Sequence, residues 1–374
     1  ARMSSLRRPS LLPALSGDKV DDTSTCTVRI GHKINRVGRV DSVAGTFEVD
    51  FKLFIRWEVP SLIGADPKSI DWDTVMDPDI IISNSHVLTR YHNERRLENP
   101  KTGRVKRAEY WRGTLYVNLA LHLFPFDVQD LKIHMRPHKM SRSQVRLCFD
   151  YDTTAVEDHN STAEWAYVGY RQVIMATDPA RSSTGKSYEE MYIIVMLSRR
   201  YNHYIWNVFI FLFAFVVFSW VPFTLDVETA QGERVSACIT LVLTIVLLKF
   251  TVGENLPKVG YQTVADLYFS TCFAFVSLAV LEQAAVCLVP RHLAPDVDFY
   301  SFLALSGSAL ALHGCLGVGL LRHAQHRKRW WRLAGSTVMY DERTGDMVHG
   351  ATAGVPATLK PQSQPQPLRT ANPA

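Results

Sequence analysis

Between Thr46 and Glu58 the apolar residues take alternate positions: Phe47, Val49, Phe51, Leu53, Ile55 and Trp57. The positions between them are mostly charged: Glu48, Asp50, Lys52, Arg56 and Glu58. A period of two predicts a strand with one buried face. The alternation returns at Leu115, Val117, Leu119, Leu121 and Leu123 against Tyr116, Asn118 and His122. It returns again at Leu131, Ile133 and Met135 against Lys132, His134 and Arg136. Turn-rich breaks from Asn99 to Gly103 and from Asp178 to Gly185 separate the strands. Residues 25–202 therefore read as an all-β sandwich of immunoglobulin-like strand spacing.

After residue 202 the pattern changes to four apolar stretches, at about 204–225, 235–252, 267–289 and 299–321. At about 1.5 Å per residue each spans roughly 27–35 Å as a helix, close to the thickness of a bilayer core. Four crossings put both chain ends on one side, and the short connections predict a compact four-helix bundle. The expected organisation is a flexible segment 1–24, the sandwich 25–202 and a membrane bundle 203–321. A tail, 322–374, is basic and then proline-rich, and too polar to bury a core.

Composition narrows the function. Of 374 residues 47% are hydrophobic, concentrated in the second half, which excludes a purely soluble enzyme. Lys+Arg 41 against Asp+Glu 36 leaves a formal charge of only +5, with no concentrated basic face, so nucleic acid is not an expected partner. His32, His86, His92, His122, His134 and His138 are scattered along strands with no His-x-x-x-His spacing, and no Gly-x-Ser-x-Gly occurs. No metal, cofactor or enzymatic nucleophile is expected. Of the six cysteines, four lie in apolar stretches and no pair has C-x-x-C spacing. A Cys26–Cys148 bridge and two free thiols are both open readings. The N-terminus has no apolar signal-peptide core, and Asn160-Ser161-Thr162 is a glycosylation sequon pointing to the secretory route.

The second apolar stretch is unlike the others. From Glu233, steps of three or four residues reach Ser236, Thr240, Leu243, Leu247, Thr251 and Glu254, all on one helical face. A stripe of hydroxyls and leucines with a carboxylate at each end suits water better than lipid. Repeated around an axis, it would give acidic rings that concentrate cations, hydroxyl rings that replace part of a hydration shell, and leucine rings that gate by dewetting. The competing reading is a bundle-core helix whose two glutamates merely sit at the interfaces. Lys249 lies off the stripe, placed for snorkelling or an ion pair with a neighbouring helix.

Gly232-Glu233-Arg234-Val235-Ser236, the Thr240/Leu243/Leu247 ladder and Glu254-Asn255-Leu256-Pro257-Lys258 together resemble the pore helix and following loop of the pentameric ligand-gated ion channels, the Cys-loop or Pro-loop receptor superfamily. Four more stretches agree in order. Phe124-Pro125-Phe126-Asp127-Val128-Gln129 resembles the loop that meets the membrane region. Asp77-Pro78-Asp79 with Asn84 resembles the first binding loop, Trp57 the second-strand tryptophan, and Leu197-Ser198-Arg199-Arg200-Tyr201 the pre-membrane segment. Cysteines would flank the Pro-containing loop in disulfide-bearing members. Val117 and Leu131 stand there instead, as in bacterial-type members. The connection at 290–298 is short where animal receptors insert a cytoplasmic region. In the first helix Trp206 stands near a common proline position, which leaves its internal kink open.

The resemblance implies a homopentamer of identical subunits in the plasma membrane, with lipid around it and the sandwich and C-terminus outside the cell or in the periplasm. A small-molecule or proton agonist would bind between subunits under a hairpin near residues 177–192. The implied site residues are Tyr188, Tyr192, His138 and Ser83 on one side and Lys52 and Arg56 on the opposing one. Pro125, Asp127, Arg199 and Pro257 would couple binding to the pore. The side chains match an aromatic amine box poorly; their basic character favours an anionic ligand, or protons acting through histidines and acids. Glu233 and Glu254, with no Pro-Ala insertion before them, imply permeant cations. The alternative is a non-channel sensor, a membrane-anchored sandwich that signals through a partner. One feature runs against the implied topology: the basic tail would lie outside, contrary to the positive-inside bias.

Overall fold

The computed structural model describes residues 25–156, 162–182, 184–253, 259–334, 338–340 and 347–349. Glu254, Pro257, Asn160, the segment 1–24 and most of the chain beyond Ala334 lie outside them, and with them the expectations that fall there.

Ten strands build the sandwich: β1 (Cys26–Asp41), β2 (Thr46–Glu58), β3 (Ile80–Ile82), β4 (Ser85–Asn99), β5 (Arg104–Tyr116), β6 (Val128–Pro137), β7 (Val145–Phe149), β8 (Ala155–Val156), β9 (Trp165–Ala176) and β10 (Glu189–Arg199). One sheet runs β4-β5-β2-β1-β7, with β8 beside β1; the other runs β3-β6-β10-β9. The period-two residues of β2 and β6 face each other across the gap. Phe51, Leu53, Ile55, Leu131, Ile133 and Met135 are all fully buried, alongside Met191, Ile193, Val195 and Leu197 of β10. The intervening charged and polar residues point away from this core.

The alternation from Leu115 to Leu123 does not continue as strand. β5 ends at Tyr116, and residues 117–127 leave the sheet. The reason is packing: Leu121, Phe124 and Phe126 are buried in a second apolar cluster with Val208, Phe209, Tyr268 and Phe269 of the helices, while Leu123 remains exposed. Cys26 and Cys148 are both free thiols. β1 and β7 run parallel with Cys26 opposite Val145 and Cys148 opposite Arg29, so the two cysteines are three rungs apart.

Among the described residues, four helices follow that are long and apolar enough to cross a membrane. α1 occupies Asn202–Thr224. It opens on a helical turn, widens into a π-helical stretch at Ile205–Phe209, continues as Ile210–Phe218 and closes on a 3-10 turn at Val221–Thr224. Where a proline is common, Trp206 lies inside this π-helical stretch. α2 is Gln231–Gly253, α3 is Val264–Val286 and α4 is Ala294–Ala334. α3 starts on a reciprocal cap, in which Thr263 accepts from Asp266 N–H and Asp266 accepts from Thr263 N–H. α4 runs thirteen residues past the boundary expected at Leu321. The run after it, residues 322–334, is Arg, His, Ala, Gln, Lys, Trp and Leu with no proline, and the next glycine is Gly335, so the chain keeps helical propensity to that point.

Candidate functional site

The stripe on α2 is a face of the folded helix. Glu233, Ser236, Thr240, Leu243, Leu247 and Thr251 are all exposed, Leu243 at 59% and Leu247 at 66%, whereas Arg234, Cys238 and Ile245 on the other side are buried against the bundle. Exposed leucines also occur on the other helices, Leu281 at 64% and Leu303 at 57%; what sets this face apart is the row of exposed Ser236, Thr240 and Thr251 hydroxyls continuing from Glu233. The Thr240 and Thr251 hydroxyls donate back to the carbonyls of Ser236 (2.9 Å) and Leu247 (3.1 Å). Their protons are directed into the helix, and the oxygens present lone pairs outward. Lys249 is exposed as well.

At the other end of the helices, the Pro-containing loop is clamped from two directions. Arg199 Nε donates to Asp127 Oδ1 at 2.8 Å and Nη2 to Oδ2 at 3.3 Å, with both residues buried. Gln129 Nε2 donates to the same carboxylate at 2.6 Å, and the Arg199 backbone N–H to Asp127 carbonyl at 3.1 Å. The Arg199 guanidinium lies over Trp165 (4.2 Å) and Phe124 (4.9 Å). Phe124–Pro125 is a cis peptide. The loop also holds the start of α3: the N–H groups of Val264 and Ala265 donate to the carbonyls of His122 and Phe124 (3.1 and 3.2 Å). His122 stacks on Tyr261 at 3.7 Å, and Tyr261 hydroxyl accepts from Leu121 N–H at 3.0 Å. Helix-start amides that would lack partners are thus satisfied by the sandwich's own loop.

The residues of the expected ligand site occupy two opposite faces of the sandwich. Ser83, His138, Tyr188 and Tyr192 belong to the β3-β6-β10-β9 sheet and the loops beside it. Ser83 N–H donates to His134 carbonyl (2.8 Å), His138 N–H to Asp79 carbonyl (2.9 Å), and Arg142 N–H to Ser187 carbonyl (2.9 Å) at the base of the hairpin. Tyr188 hydroxyl pairs with Thr184 hydroxyl at 2.9 Å. Lys52 and Arg56 project from the outward face of the other sheet. Lys52 lies 4.5 Å over the Tyr110 ring, and Arg56 is committed to Asp150, Glu98 and Thr153. One chain does not bring the two groups together. Arg56, its charge neutralised and its side chain only 15% exposed, also has little left to offer a ligand.

Two residues that the sequence reading passed over complete the first face. His134 stacks on Tyr192 at 4.4 Å and 11°, with Nε2 at 3.2 Å from Glu190 Oε2. Tyr192 hydroxyl donates to that same oxygen at 2.6 Å, and Thr177, at the root of the hairpin, donates to Glu190 Oε1 at 3.2 Å. Burial pulls the His134 imidazole below its usual value, partly offset by Glu190. Burial and Glu190 hold the Tyr192 phenol far above the usual range, so it remains a donor. The outward positions of β6 in the period-two pattern were the available signal for His134.

Residues 206–295 match the family described as neurotransmitter-gated ion-channel transmembrane region. The chain is 27% identical over 216 residues to a gamma-aminobutyric acid receptor subunit beta of Caenorhabditis elegans, covering 56% of this chain and 38% of that one. It is 31% identical over 170 residues to the rat gamma-aminobutyric acid receptor subunit gamma-1, covering 45% and 36%. It is 26% identical over 196 residues to pH-sensitive chloride channel 2 of Drosophila melanogaster, covering 51% and 37%. The chain thus spans less than two fifths of the length of these relatives. Four apolar helices behind a β-sandwich make it a multi-pass membrane protein. The matched membrane region, and the order of sandwich and helices around it, are similar to those of the pentameric ligand-gated ion channels.

Proposed function

We propose that this chain is the subunit of a ligand-gated, cation-selective channel. Five identical copies would surround a pore lined by Glu233, Ser236, Thr240, Leu243, Leu247, Thr251 and Glu254. The observation that carries the reading is the exposed hydroxyl-and-leucine face of α2, opposite a buried face that packs on the bundle. A helix anchoring a non-channel sensor would have no use for a stripe of exposed hydroxyls beginning on a carboxylate. The sandwich and C-terminus would lie outside the plasma membrane or in the periplasm.

Cation selectivity rests on Glu233 and on the outward lone pairs of Thr240 and Thr251, which suit a positive ion. The chloride channel among the relatives leans the other way. Agonist would bind between copies, where Ser83, His138, Tyr188 and Tyr192 of one subunit meet Lys52 of the next. The two-faced placement of these groups favours an intersubunit site. Asp127, Arg199 and Pro125, with Pro257, would pass the signal to α2. The His134–Glu190–Tyr192 cluster favours a second reading of the stimulus, protons, in keeping with the name of the Drosophila relative.

Purified protein in planar bilayers, with mass measurement of the assembly, tests the proposal. Unitary currents from a pentamer, reversing with the cation gradient, are expected. Reversal that follows chloride would overturn the selectivity; a monomer without conductance would overturn the channel.

A further inference from the structure

A buried charge cluster ties the beginning of α2 to α3 and α4. Arg234, 1% exposed, forms an ion pair through Nη2 with Asp298 Oδ1 in the first turns of α4; Asp298 is 6% exposed. The Phe223 ring, in the turn that closes α1, lies 5.7 Å from the guanidinium. Glu282 of α3 is half-buried and interacts electrostatically with both Asp298 and Arg234, with Gln283 Nε2 donating to its Oε2 at 2.8 Å. Arg234 Nε and Nη1 and Glu282 Oε1 have no further hydrogen-bond partner among the described residues. Charges inside a membrane span are expensive and persist where they pair.

Arg234 is the residue after Glu233. Successive residues on a helix lie about 100° apart, so an anchor on Arg234 fixes the rotation that aims Glu233. Glu233 itself is exposed and has no partner in the described ion pairs that would hold it in place.

We propose that the Arg234–Asp298 pair, backed by Glu282, is a positioning device for the Glu233 carboxylate, making α4 a determinant of ion conductance and selectivity. α4 contributes nothing to the α2 face. Its first turns act on the ion path through one buried contact. The inference rests on the channel reading above.

Single-channel recording on the full chain tests it, comparing wild type with Asp298→Asn, Asp298→Glu and Asp296→Asn. Asp296 lies two residues away, is exposed, and carries the same charge at the same helix end. Asp298→Asn should lower unit conductance and the cation-to-anion permeability ratio about two-fold or more, as expected when ring carboxylates lose alignment. Asp298→Glu should recover most of the loss, and Asp296→Asn should resemble wild type. Should Asp298→Asn fail to assemble, Arg234→Lys keeps the charge without the planar fork and should show the same fall in unit conductance. A merely structural pair would reduce the number of channels and leave unit conductance and permeability unmoved. Wild-type conductance in Asp298→Asn or Arg234→Lys, or an equal change in Asp296→Asn, overturns this inference alone. Absence of any wild-type current removes the channel reading and this inference with it.

Discussion

Asp127 and Arg199 form a two-point ion pair, Nε to Oδ1 at 2.8 Å and Nη2 to Oδ2 at 3.3 Å, buried at the seam between the sandwich and the helices. It joins the loop that caps α3 to the strand that enters α1. Removing one partner leaves the other charged, buried and unpaired, at a cost of about 3–5 kcal/mol. Asp127→Asn should therefore lower the thermal unfolding midpoint in detergent by on the order of 10 °C. Arg199→Lys, which keeps the charge but loses the fork and the stacking on Trp165 and Phe124, should fall between Asp127→Asn and wild type. An Arg199→Lys protein as stable as wild type would show that the geometry of this pair is unimportant.

The exposed leucines make a separate claim. If Leu243 closes the pore by repelling water, a hydroxyl there should let water in. Leu243→Ser should raise the current recorded without stimulus. The same change at Leu241, half-buried and off the stripe, should raise it far less. Equal resting currents in the two variants would remove the leucine gate.

His32 supplies a pH dependence of stability. It is fully buried in the sandwich, its Nε2 has no hydrogen-bond partner among the described residues, and the Tyr170 ring lies near-perpendicular to it with centroids 5.8 Å apart. Burial pushes its imidazole down to about 3 from an ordinary 6.5. The unfolded chain takes up a proton as pH falls below 6.5, and the folded one does not. Stability is thus fully present above pH 6.5 and is lost at roughly 1 kcal/mol per pH unit on the way down towards 3. His32→Leu should flatten the part of the acid decline of the unfolding midpoint that lies between pH 6.5 and 4.5. An unchanged slope would mean that other groups drive it.

Around the hairpin root, the charges facing His134 pull in opposite directions. Glu190 favours the imidazolium, while burial and Arg136 oppose it. If protons act here, Glu190→Gln should move the pH midpoint of current to more acidic values and Arg136→Gln to less acidic ones, with His134→Phe abolishing the dependence. Identical midpoints in all three would exclude this cluster as the sensor. Tyr192→Phe, which removes only the hydrogen bond to Glu190, tests whether the phenol shares in the response.

Much of this architecture could be read from the chain, because strands with one dry face and helices in lipid each leave a strong periodic trace. Phe51, Leu53 and Ile55, and the α2 stripe from Ser236 to Thr251, fell where their spacing put them. The alternation misled where it ran on through Leu119 and Leu121, since a loop inserted among helices needs apolar residues just as a strand does. What stayed hidden were long-range pairs. Nothing local links Arg234 to Asp298, 64 residues on, or His134 to Glu190 and Tyr192. Arg56 likewise read as a free basic group because Asp150 and Glu98 are distant in sequence.

Everything about conduction depends on the α2 face meeting water. Single cysteines at Ser236, Thr240 and Leu243, in a background where the exposed Cys287 and Cys315 are serine, can be probed with a membrane-impermeant thiol reagent while current is recorded. All three should react and block current when the channel is stimulated, whereas cysteine at the buried Ile245 should not. Three stripe cysteines that stay unmodified with and without stimulus, or that react no faster than Ile245→Cys, would contradict a pore along α2.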